Sequence, residues 1–230
     1  MNRVALFALG LLCVCSGWLT YESHIVVRMT VLEPHQLSFI VDQHENNRSL
    51  TFWRDPTHFG VIDVMMSEEV YASFRLELDQ QGIAHEVWIS DVQGLIEEQM
   101  ARKEAPLDFF DAYHTYEEII QFMKDLQTAY PNLVTLKVLG QTYEGRDLLA
   151  ARVSSSPDLK NAIFFNGGIH AREWISPATV LYILNSLVTD YKIDPVITRL
   201  VDNLDIWVLP VFNADGYSYT WTNDRMWRKT

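Results

Sequence analysis

A chain of 230 residues, 48% of them hydrophobic and 12% aromatic, holds enough apolar material for one large core or two moderate ones, which excludes a disordered chain. The formal charge is −12 at pH 7, and both halves are acidic, so a polyanion such as nucleic acid is excluded as a natural partner. The two cysteines, Cys13 and Cys15, both lie within the first 17 residues.

Those first residues have the layout of a secretory signal peptide. Arg3 is followed by the apolar run 4–14 and then by the small residues Cys15, Ser16 and Gly17. The run is too short to span a bilayer comfortably, so the expectation is a secreted, extracellular protein with no membrane span in its mature form. Removal of residues 1–17 would leave no cysteine, which rules out a disulfide scaffold, a cysteine nucleophile and a cysteine-based zinc site. In a secreted chain the sequon Asn47-Arg48-Ser49 makes Asn47 a candidate glycosylation site.

Residues 24–99 read as a small α/β module. Short apolar runs at 25–32, 37–41, 50–53 and 60–65 suggest strands, with a turn at Arg54-Asp55-Pro56-Thr57. Residues 67–81 predict a helix with Val70, Phe74 and Leu78 on one face. An edge-length strand at 86–89 and a closing helix at 92–100 complete the module. Arg102 and Lys103 then precede Glu104-Ala105-Pro106 between two folded segments, the pattern of a proteolytic linker. The same two cations also suit the C-terminal dipole of the preceding helix. The division is therefore residues 1–17 as signal, 18–103 as a first segment and 104–230 as a second.

In the second segment Thr115 and Glu118 form a capping box for a helix whose face carries Tyr116, Ile119, Ile120, Met123 and Tyr130, ended by Pro131. Runs at 133–139 and 148–153 read as strands joined by Tyr143-Glu144-Gly145-Arg146, and 162–166 as a strand of the buried type. A helix over 177–190 with Ser176 as N-cap, another from Asp194-Pro195, and a strand at 204–212 follow. The alternation predicts a layered α/β domain.

The chemistry sits after the strand at 162–166, in Gly167-Gly168-Ile169-His170-Ala171-Arg172-Glu173-Trp174-Ile175-Ser176-Pro177. Imidazole and carboxylate are good zinc ligands, and the carboxyl end of a strand is where open α/β sheets present working groups. A His-x-x-Glu pair alone is common by chance; its position gives it weight.

This block, together with Thr142-x-Glu144-Gly145-Arg146, Leu209-Pro210-Val211-Phe212-Asn213-x-Asp215-Gly216-Tyr217, Tyr219-Thr220-Trp221-Thr222 and Arg225-Met226-Trp227-Arg228-Lys229-Thr230, resembles the zinc metallocarboxypeptidases of the pancreatic A/B type in order and spacing. Phe52-Trp53 and residues 87–99 are similar to that family's inhibitory pro-segment. The resemblance implies an α+β open-sandwich pro-domain followed by the N-terminal half of an α/β/α mixed-sheet carboxypeptidase domain. It implies zinc as cofactor with His170 and Glu173 as two of its three protein ligands, and Arg228 as the cation facing the oxyanion. It also implies Arg172 and Arg225 in the outer peptide subsites, with surface cations as the plain alternative, and Trp174 and Trp227 as packing residues. Partners would be peptide or protein C-termini and an activating trypsin-like protease cutting at Arg102-Lys103. The A-type preference for apolar C-termini and the B-type preference for basic ones both remain open.

The family's third ligand is a histidine, and His170 is the last histidine of the 230 residues. By resemblance that ligand, the Asn-Arg carboxylate clamp, the general-base glutamate and the closing tyrosine would lie beyond Thr230. The 230 residues as written are therefore expected to be a fragment, a short isoform or a truncated gene model, with no hydrolytic activity. The other reading is a non-catalytic binding product of the same locus.

Overall fold

The computed structural model describes residues 18–104, 108–158 and 160–230, with the side chains of 102–104 left out of the description. The signal-peptide reading of residues 1–17 lies outside the described residues.

The first segment is a four-stranded antiparallel sheet formed by β1 (His24–Val31), β2 (Thr51–Phe52), β3 (Gly60–Ser67) and β4 (Ala84–Ile89), in the order β2-β3-β1-β4. Alternation along β1 sends Val27, Met29 and Val31 to one face, where they pack with Ile40 of α1 (Pro34–Asn46) and with Phe74 and Leu78 of α2 (Glu68–Gln80). Val26 points the other way and meets Met65, together with Val92 and Ile96 of α3 (Val92–Glu104). Met226, from the far end of the chain, packs against this second cluster.

Two local expectations change. The apolar run 37–41 is helical rather than extended: Pro34 occupies the first turn, Gln36 Oε1 accepts from Leu32 N at 2.9 Å and Glu33 N at 3.1 Å, and Gln36 and Ile40 form the buried stripe. The closing helix continues to Glu104, so the backbone of Arg102 and Lys103 lies in its last turn. The expected helix over 67–81 is found as α2, with Ser67 Oγ accepting from Val70 N as its N-cap.

The second segment begins with a 3₁₀ turn at Phe109–Asp111 and α4 (Tyr116–Ala129), opened by the expected Thr115/Glu118 capping box. Leu126, not Tyr130, completes the buried face of α4; Tyr130 caps the helix and is exposed. The sheet runs β5-β6-β8-β7, from β5 (Val134–Gln141), β6 (Asp147–Val153), β7 (Asn161–Asn166) and β8 (Leu204–Leu209). Only the β7–β8 pair is parallel, so the sheet is mixed. One face packs on α4, α5 (Ile175–Thr189) and α7 (Ala214–Thr222), with Val201 of α6 (Pro195–Asn203) joining the same core. Among the described residues β7, expected to be of the buried type, stands last in the strand order, with Ile163 and Phe164 exposed. No helix among the described residues is long and apolar enough to cross a membrane.

At the start of β8 the buried Asp205 accepts from Arg152 Nη2 at 2.7 Å and from Lys160 N at 3.3 Å. Burial pushes its carboxyl up, but the Arg152 hydrogen bond, with Ser154, the Lys160 amide and the Arg152 charge, outweighs this and holds it below the usual carboxylate range. A carboxyl depressed in the folded state contributes stability that is present above its unfolded value of about 4 and is lost as pH falls through its folded value. The expected result is a melting temperature that falls on acidification below pH ~4, with a shallower fall in Asp205→Asn. Thermal melts across pH 2–6 check it, and an identical acid limb in the variant would refute it.

Candidate metal and peptide site

Glycines set the approach to the site. Past the end of β7, Gly167 N donates to Leu209 O at 3.0 Å, Phe212 N to Gly167 O at 2.8 Å and Asn213 N to Gly168 O at 2.9 Å. The pairing with β8 thus continues into the turn. A Cβ on Gly167 would stand 2.6 Å from Pro210 O and 2.9 Å from Ser176 O, and Gly168 has φ +65°. α5 starts at Ile175, earlier than expected, and the Ser176 hydroxyl serves Gly168 N at 3.2 Å rather than capping the helix.

The turn brings His170 Nδ1 to 2.9 Å from Glu173 Oε1, with both side chains partly exposed. Two donors about 2.0–2.1 Å from a tetrahedral zinc stand about 3.3 Å apart, so this pair fits two positions of such an ion with a small adjustment. Among the described residues no group of three His, Cys, Asp or Glu side chains gathers here. The pair therefore fits part of a zinc site and not a complete one.

The three arginines surround this turn. Arg228 O accepts from Ala171 N at 3.2 Å, and the Arg228 side chain is half-buried. Burial, and then repulsion from Arg228, depress the Arg172 guanidinium below its ordinary value. Arg172 Nη2 donates to Phe52 O of the first segment at 3.1 Å. Arg225 is not a surface cation: it is 7% exposed and lies over the Trp174 ring at 3.7 Å, where burial brings it down to about 10. It donates to Arg172 O at 2.9 Å and, by Nη2 and Nε, to Gln99 Oε1 at 3.1 and 3.3 Å. Trp174 is a packing residue, as expected, stacked on Trp221 at 3.9 Å; the partly buried Trp227 lies against Tyr219.

The first segment covers this region at several points. A cavity of about 250 Å³ between the segments is lined by Trp53, Ile96 and Gln99 on one side and by Arg172, Glu173 and Arg225 on the other. Farther along, Leu19 N donates to Asn223 O at 2.8 Å, and Tyr21 OH donates to Asp224 Oδ1 at 2.6 Å. Burial, with the Asp224 contact, pushes the Tyr21 phenol well above its usual value.

Asp215 and the Thr142–Arg146 turn carry no role that the sequence alone assigns. The structure joins them: Asp215 accepts from Thr142 Oγ1 at 2.7 Å, Glu144 N at 3.0 Å and Arg146 Nη1 at 2.7 Å. Asn213 caps α7 through Gly216 N and its side chain donates to Lys229 O at 3.0 Å, tying the segment around Arg228 to the glycine turn. The one signal for this in the sequence is the polar pattern Asn213-x-Asp215-Gly216, whose partners lie in distant parts of the chain. Asn47 is partly buried at the end of α1, with its Oδ1 accepting from Ser49 N at 3.1 Å.

Both segments resemble known proteins. The carboxypeptidase activation peptide family matches residues 27–99 and the zinc carboxypeptidase family matches residues 119–230. Carboxypeptidase A2 of Rattus norvegicus is 40% identical over 194 residues, covering 81% of this chain and 46% of that protein. Carboxypeptidase B of the same species is 35% identical over 216 residues, covering 91% of this chain and 52% of that protein. The crystal structure of carboxypeptidase A from Helicoverpa armigera superposes with a TM-score of 0.78 at 28% identity, covering 91% of this chain and 53% of that one. The chain spans about half the length of the curated relatives it matches. Zinc is the metal that the matched family implies. With an activation peptide ahead of a mixed-sheet peptidase domain, the chain belongs to the zinc metallocarboxypeptidases of the A/B type.

Proposed function

We propose that this chain is the precursor portion of a secreted zinc metallocarboxypeptidase that removes C-terminal residues from peptides. The observation that supports it most is the convergence of His170 and Glu173 at 2.9 Å beyond β7, beneath a first segment that occupies the neighbouring Arg172 and Arg225. Zinc, when bound, would supply a Lewis acid and an activated water. His170 and Glu173 would hold it, and Arg228 would present fixed positive charge to the oxyanion that develops on the scissile carbonyl. Arg172 and the Gln99-facing edge of Arg225 would be freed for peptide once the first segment leaves. Residues 18–103 would act until then as an inhibitory pro-segment, and a glycan on Asn47 would sit on that segment.

The test is zinc titration by calorimetry with an assay on C-terminal residues. The 230 residues offer two ligands where a catalytic site takes three, so weak zinc binding and no hydrolysis are expected. A chain extended to the length of its relatives should gain both, and His170→Ala in that chain should abolish both. Tight, stoichiometric zinc binding by the 230 residues that survives His170→Ala would place the metal elsewhere.

Activation is proposed to follow cleavage at Arg102 or Lys103 by a trypsin-like protease. Because their backbone closes a helix, the last turn must fray before a protease can take hold, which terminal turns do readily. Brief trypsin treatment read by mass spectrometry should show these cuts first. First cuts after Lys192 or Arg199 would argue against this site.

A further inference from the structure

The Arg225 guanidinium faces two ways. One edge faces Gln99 of the first segment, but Nη1 is turned inward and donates to Arg172 O at 2.9 Å. That carbonyl belongs to the His170–Glu173 turn and lies between the two paired residues along the chain. The turn's own closing bond, Glu173 N to His170 O, is long at 3.3 Å, and Ala171 N is held from outside by Arg228 O at 3.2 Å. The middle of the turn is thus secured by the segment after α7, once at the Ala171 amide and once at the Arg172 carbonyl.

The guanidinium has little freedom to leave. It lies 3.7 Å over Trp174, whose opposite face stacks on Trp221 at 3.9 Å and whose Nε1 donates to Thr220 Oγ1 at 2.8 Å. A planar cation between an indole and a carbonyl loses few rotamers on binding and directs a fixed fork of donors, which a lysine does less rigidly.

We propose that Arg225 is a positioning residue for the His170–Glu173 pair, acting through the Arg172 carbonyl and independently of any peptide subsite it also lines. The proposal rests on the reading of that pair as the metal-facing pair only for its importance to catalysis; the contact itself belongs to the turn. Without the Nη1 donor, the carbonyl would be free to rotate, and the pair would lose its common direction.

The experiment is histidine side-chain NMR on the full 230-residue chain, with the His170 signal assigned by His170→Gln. In the unaltered chain the signal should be that of a ring fixed in one tautomer against Glu173. Arg225→Gln should move it to the averaged values of a solvent-exposed imidazole, and Arg225→Lys, which keeps a cationic donor over Trp174, should hold it near the original position. A folded Arg225→Gln with an unchanged His170 signal overturns the proposal. Should Arg225→Gln not fold, the Arg225 guanidinium protons of the unaltered chain decide: slow exchange and hindered rotation support the contact, and free rotation overturns it. Millimolar zinc added to the unaltered chain keeps the two readings apart. Zinc that perturbs histidines other than His170 sinks the metal assignment, while the response to Arg225→Gln still judges the positioning role.

Discussion

Replacing Trp174 with alanine is expected to destabilise the second segment by about 3–5 kcal/mol, the range for deleting a large buried aromatic. Trp174 is 2% exposed, and its ring is enclosed by Trp221, Tyr113, Tyr217 and the Arg225 guanidinium. Alanine would open a cavity at the seam between the His170–Glu173 turn and α7 and would strip a cation of its aromatic partner. Trp174→Phe should fall between the two, since it keeps ring contacts and loses the hydrogen bond to Thr220. Urea unfolding of the three proteins measures this; a loss below about 1 kcal/mol for alanine would mean that the stack carries no load.

Gly167→Ala is the second severe change. Two of the three atoms a methyl group would meet are backbone oxygens, at 2.6 and 2.9 Å, and neither can move without breaking the β8 pairing or shifting the start of α5. Overpacking of this kind costs about 3 kcal/mol at the upper end of its usual range. Here the cost should be accompanied by displacement of the His170 turn, so zinc perturbation of the His170 NMR signal should weaken along with stability. Gly145→Ala provides the contrast: nothing lies within 4 Å of its added methyl, so its penalty comes only from the positive φ of +83°. Equal destabilisation by the two substitutions would show that contact with the Pro210 and Ser176 carbonyls is not what excludes a side chain from position 167.

Much of this was legible in the sequence because the signals were local. The Thr115/Glu118 box and the Asp194-Pro195 start each specify a helix end within a few residues, and both are found. The His170–Glu173 pair was equally visible, being three residues apart. Sequence reading failed where the deciding partner was distant or unusual. Residues 37–41 form a short apolar run like that of a strand, and the helix there depends on Gln36 reaching back to two amides, a weaker signal than serine or threonine. The helix α7 was missed because its cap, Asn213, closes what looked like the end of a strand. The sequence leaves Arg225 level between a peptide-subsite cation and a surface one because neither Trp174 nor Gln99 is near it in sequence, and only the fold brings 99, 174 and 225 together. The apolar run of β7 reads as a strand of the buried type; among the described residues it is last in the strand order and exposed.

The first segment is fastened near both of its sequence ends, by Leu19 and Tyr21 at one and by Gln99 at the other, and between them by Phe52 O on Arg172. Such an arrangement is multivalent. Were the covalent connection severed, opening of one fastening would leave the others in place, and the open one would experience an effective concentration of its partner of roughly millimolar order. Re-closure would then compete with escape, so scission and separation would become distinct events in time. The interval between them would be set by the probability that all the fastenings are open together and would not depend on how concentrated the protein is.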